Sequence, residues 1–96
     1  MGSTPDQAAK AGALARLATM RASEAMKRMA VMRLHAASAH DRAGQLHELL
    51  ADAGQGDIAE HRERAAAHRR QAHEDRAAAA GIFSSQHVEP PEPGHS

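Results

Sequence analysis

Two interleaved series of uncharged residues run through the first half of the chain. Ala8, Ala15, Ala22, Met29, Ala36, Ala43 and Leu50 recur seven apart, and Ala11, Ala18, Ala25, Met32, Ala39, Leu46 and Ala53 fall between them. Alternating steps of three and four keep all fourteen positions on one stripe of a helix and predict a coiled-coil-like seam. The start of that helix has a local signal. Thr4 is placed to cap, Pro5 to occupy the first helical position where no N–H is needed, and Gln7 to complete a capping box. Residues 53–57, Ala-Gly-Gln-Gly-Asp, give a stop and a restart, with Gly54 able to take the left-handed conformation and Asp57 to cap a second helix. That helix is expected over about 58–80, with a more polar seam of Ile58, His61, Ala65, His68, Ala72, Asp75, Ala79 and Ile82, and with Gly81 as its C-terminal cap.

The pattern predicts an all-α fold, a long antiparallel helical hairpin with helix 1 over about 5–53, a turn at 54–57 and helix 2 over about 58–80, the hairpin unit closing by residue 83. Residues 1–4 are expected as a flexible N-terminus. Residues 84–96, with Pro90, Pro91 and Pro93, are expected as a disordered tail. Pairing the seams across the turn sets Leu50 near His61, Leu46 near Ala65, Ala43 near His68 and Met29 near Ile82. A helix of this length spans roughly 70 Å at 1.5 Å per residue, so its first twenty-odd residues project beyond the shorter second helix. Leu14, Leu17, Met20 and Met26 are then left uncovered on the projection, while Met29 and Met32 fill the middle of the seam; these six are the expected contact surface.

Composition sharpens the picture. Leu, Ile, Val and Phe together occupy eleven of 96 positions, too few for a conventional core, while alanine, the best helix former, dominates what remains. An alanine seam buries little area, so extra burial is expected from a partner: a second copy, forming a homodimeric four-helix bundle, or another helical protein. Residues 1–44 carry seven Lys or Arg against three acids and residues 45–96 carry five against nine, a balance suited to segments lying against each other. There is no cysteine, which excludes disulfides and thiolate metal sites. No apolar run approaches a bilayer span and no signal-peptide pattern opens the chain, so the expected setting is cytoplasmic, away from a membrane.

Histidine carries the candidate chemistry. Six of the eight histidines lie in mirror image about Gly54: His35, His40 and His47 before it, and His73, His68 and His61 after it. Glu48 and Glu60 obey the same symmetry. A turn at Gly54 brings such groups together as half-buried spacers, as a pH-sensitive ladder, or as ligands for a transition metal. His47 and His61, with His40 and His68 behind them, are the candidate ligands for Zn²⁺ or Ni²⁺; a cofactor is otherwise not expected. The spacings of HExxH and ExxH motifs are missing, and His47 and Glu48, being adjacent, point about 100° apart on a helix. Arg62, Arg69 and Arg76 form a stripe that offers weak nucleic-acid binding as a further alternative. Glu60, Glu63, Glu74 and Asp75 dilute it, and no aromatic residue is interleaved with the stripe for base stacking. There is neither a nucleophile beside a base nor a phosphate-binding loop. The expectation is a non-enzymatic helical interaction or scaffold module, with the metal-binding or pH-responsive hairpin as the alternative.

Overall fold

The local signals at each helix end become backbone hydrogen bonds in the computed structural model, which describes residues 4–91. Helix α1 spans Pro5–Asp52. Its N-cap is Thr4, whose hydroxyl accepts from the Gln7 N–H at 3.2 Å while the Gln7 side chain accepts from the Thr4 N–H at 3.1 Å. At the other end Gly54, at φ 69°, donates to the Ala51 carbonyl, and Gln55 donates to that of Leu50. This is the Schellman arrangement, and it satisfies carbonyls that the helix itself cannot. Helix α2, Ile58–Ser85, begins where the Asp57 carboxylate accepts from the Glu60 N–H at 3.0 Å. The two helices form an antiparallel hairpin measuring 77 × 27 × 16 Å. No helix among the described residues is long and apolar enough to cross a membrane.

The face that α1 turns toward α2 differs from the expected seam by one residue. Ala30, Ala37, Gly44 and Ala51 are buried, whereas Met29 and Met32 are 57% and 68% exposed, and Leu46 is also open to solvent. One residue is a rotation of about 100°, so the fourteen-residue uncharged stripe faces mainly away from α2. The registers change accordingly. Ala65 lies against Gly44 and not Leu46: a Cβ built on Gly44 would be 3.4 Å from the Ala65 carbonyl oxygen. On α2 the buried residues Ala65, Ala72, Asp75 and Ala79 lie on the expected seam, but Ile58 at its start is exposed.

Small side chains thus set the distance between the helices. Among the described residues no large side chain is fully buried, and the apolar cluster is confined to the far end of the hairpin, where Ala30, Ala79 and Phe83 are packed by Val31, Leu34, Ile82 and Val88. That cluster explains why α2 outlasts its expected end at Ala80. Gly81 weakens a helix by about 1 kcal/mol relative to alanine, but Ile82 and Phe83, anchored on α1, carry the helix through it. The expected tail is likewise corrected over its first residues. Ser84 and Ser85 are helical, and a second Schellman arrangement follows, with His87 at φ 54° donating to Ser84 and Val88 donating to Phe83. Ser23 then donates to the Gln86 side chain, whose amide reaches the Met26 sulfur at 3.6 Å. Met26 therefore belongs to the end of the hairpin rather than to the projection. Residues 1–3 and 92–96, with Pro93 among them, lie outside the described residues.

The hairpin ends near Ser23, and α1 continues beyond it for about eighteen residues, or about 27 Å. Every described residue before Ser23 is exposed except Gly12, which is half-buried.

Charge completes the register. Asp75, buried in the α2 seam, accepts from Arg33 at 2.9 Å; Arg76 pairs with Asp41, and Arg69 with Glu48. Replacing Gly44 by leucine forces bulk into the closest approach and is expected to lower Tm by roughly 10 °C, measured by circular dichroism. Arg33→Met leaves the Asp75 carboxylate buried without its cation and is expected to cost about 1–3 kcal/mol in urea unfolding. The double variant Arg33→Met/Asp75→Leu recovers most of that loss, because both charges are then gone.

Candidate functional site

Gly44 lies between His40 and His47 on α1, and its missing side chain lets the histidines of α2 come within reach. His40 and His68 meet with their Nδ1 atoms 2.9 Å apart and ring centroids at 5.1 Å. His47 and His61 repeat this geometry, again with Nδ1 to Nδ1 at 2.9 Å and centroids at 5.2 Å. The pairs are joined by His47 and His68, whose rings stack at 5.7 Å with planes 14° apart. A ladder of four half-buried imidazoles therefore runs beside the alanine seam. The turn glycine at 56 also makes room, since a Cβ there would lie 3.1 Å from the Nε2 atom of His61.

Each Nδ1 pair shares a single proton when both rings are neutral. One ring donates Nδ1–H and its partner accepts with the Nδ1 lone pair, so the two rings of a pair hold opposite tautomers. Protonating both rings would set two N–H groups against each other. The environment of His47 opposes its charged form: its half-burial lowers its pKa below the ordinary 6.5, the neighbouring His61 and His68 and the Arg64 guanidinium act in the same direction, and Glu60 opposes them.

The third mirror pair does not join the ladder. His35 and His73 are exposed, and neither makes a ring contact with another histidine among the described residues. The mirrored acids also part company, Glu48 pairing with Arg69 and Glu60 with Arg64. Among the described residues no three His, Asp or Glu side chains converge as a preformed metal cage. The arginine stripe is divided: Arg69 and Arg76 face acids of α1, while Arg62 is exposed and makes no ion pair among the described residues. Two features escaped the sequence reading, the close approach at Gly44 and the Arg33–Asp75 pair. Asp41 and Glu48, seven apart like Arg69 and Arg76, carried the signal for this register.

No family model, curated protein or solved structure matches this chain, so the chemistry of the ladder rests on its own geometry.

The depressed pKa of His47 has a fixed sign in folding. The unfolded chain binds more protons than the folded one, so this group's contribution to stability is complete above the unfolded pKa of about 6.5, is lost as pH falls through that value toward the folded pKa, and levels off below it. Urea unfolding of metal-free protein between pH 7.5 and 5 is expected to show the decline. His47→Gln is expected to flatten it.

Proposed function

We propose that this chain is a non-enzymatic interaction module that docks a helix of another protein along the outward stripe of α1. The carrying observation is the stripe itself, fourteen successive seam-type positions without a charge, most of them open to solvent although the hairpin already has a separate seam. Met29, Met32 and Leu46 supply its bulk, and Leu14 and Leu49 lie at its margin, 67% and 66% exposed. Alanine between them allows close helix approach, and methionine adapts to the opposing surface.

The flanks indicate the kind of partner. Arg21, Arg28, His35 and Arg42 recur seven apart along one border of the stripe, all exposed, and the three arginines make no ion pair among the described residues. Residues bordering a helical seam set partner choice and orientation. Pairing two copies stripe to stripe brings these arginines against Arg33, His40 and His47 in a parallel arrangement and against one another in an antiparallel one. Arg28 meets Arg33 in the first arrangement, and arginine meets arginine in the second. The homodimeric four-helix bundle expected from composition is thus disfavoured through this face, and a helix bearing acids beside its apolar seam is the better complement.

At physiological salt the free chain is expected to sediment as a monomer at micromolar concentration. A photoreactive residue in place of Leu46 should cross-link, in the native host, to a partner of different mass, and Met29→Glu/Met32→Glu should abolish the product without loss of helicity. Cross-linking only between copies, with a dimer in sedimentation, would replace the heterologous partner by the four-helix bundle.

A further inference from the structure

We propose that the four-ring ladder is an acid-operated latch for the turn half of the hairpin. With the helices closed it accepts two protons, one on each outer ring, His40 and His61. A further proton on either inner ring, His47 or His68, parts the helices between Gly44 and the turn.

The hydrogen bonds set the capacity. Nδ1 faces Nδ1 at 2.9 Å in both pairs, a separation filled by one N–H and one lone pair, with no room for an ion between them. In a neutral pair the donor ring keeps a free lone pair on Nε2, whereas the acceptor ring already carries its proton there. An incoming proton therefore goes to Nε2 of the donor. The resulting imidazolium still donates Nδ1–H to its neutral partner, now in a charge-assisted bond. The next proton has only the acceptor's Nδ1 to bind. Two N–H groups then point at each other across a distance that holds one, and two cations adjoin.

The stack sets the order. His47 and His68 lie together in the middle at 5.7 Å, each hydrogen-bonded to one outer ring, so cations on His40 and His61 are the farthest apart. His47 is then the acceptor of its pair, in accord with surroundings that disfavour its charged form. The carboxylates beside the ladder are engaged: Asp41 and Glu48 of α1 pair with Arg76 and Arg69 of α2, and Glu60 pairs with Arg64, whose guanidinium opposes charge on His47. Opening is local because the two ends of the hairpin differ. Gly44, Ala51 and Ala65 form the seam on the turn side, whereas Phe83, packed by Ile82 and Val88, holds the far end.

Ring ¹⁵N magnetic resonance and amide hydrogen exchange of the full chain between pH 7.5 and 4.5 test this. At pH 7.5 His40 and His61 are expected as Nδ1–H tautomers, and His47 and His68 as Nε2–H tautomers. On acidification the outer rings should take protons first. As the inner rings follow, exchange protection over residues 44–51 and 61–65, corrected for the pH dependence of chemical exchange, should fall at least about tenfold, while that around Ala30 and Ala79 changes less than about twofold. In His40→Gln/His61→Gln each inner ring faces an amide that can accept as well as donate, so the acid-dependent fall should disappear; circular dichroism verifies the helical fold. His35→Gln/His73→Gln should retain the fall, because the ladder is intact. The proposal is overturned if the inner rings take protons before the outer ones, if the folded His40→Gln/His61→Gln variant still opens in acid, or if protection is lost at both ends alike.

Discussion

The separation of the two helices is the constraint on which everything else in this molecule depends. Ala30, Ala37, Gly44 and Ala51 face α2 with no side chain larger than a methyl, and Ala65, Ala72 and Ala79 answer them. Close backbones leave no room for a bulky core, but they bring longer side chains at the borders of the seam within mutual reach. The imidazole pairs and the Arg33–Asp75, Arg69–Glu48 and Arg76–Asp41 contacts are all such border interactions. The seam sets the distance, and the borders set the register. Phe83 marks where this regime ends: at the open end of the hairpin the helices accept a larger ring, and the polypeptide folds Val88 back to cover it.

Helix α1 consequently has two apolar sides, of which α2 covers one. The hairpin side needs to be free of charge only from Ser23 to Ala51, where α2 lies beside it; farther toward the N-terminus the same line meets Arg16, which is exposed. The outward side remains uncharged along nearly the whole helix. The longer and cleaner pattern is therefore the one that the chain leaves uncovered. That division separates what stabilises the hairpin from what is available to a partner.

Much of this was legible in the sequence, and the exceptions share a cause. Thr4, Pro5, Gln7, Gly54 and Asp57 act on backbone groups within a few residues, so their effects could be read locally. The polar seam of α2 was legible because only one of its faces is rich enough in alanine. On α1 alanine occupies many faces at once, and periodicity alone selected the face with the longest uncharged run. The cross-helix charges, Asp41 and Glu48 against Arg76 and Arg69, would have corrected that rotation, since they must face each other across the turn. The histidines behaved similarly. His40 and His47 share one heptad position, as do His61 and His68, whereas His35 and His73 obey the mirror but not the seven-residue spacing, and they fall outside. The end of α2 was not legible at all, because tertiary contacts of Phe83 and Val88 override the local signal of Gly81.

A seam built of methyl groups also shapes how the molecule responds to temperature. The heat-capacity change of unfolding and the sensitivity to denaturant both grow with the surface newly exposed to water, and here the buried set among the described residues is six alanines, one glycine, one phenylalanine and one aspartate. Little apolar surface is released when the helices separate. The stability curve is accordingly shallow, with a broad maximum, and melting spreads over a wide interval in place of a sharp transition, so the rod softens gradually from its uncovered end toward the turn.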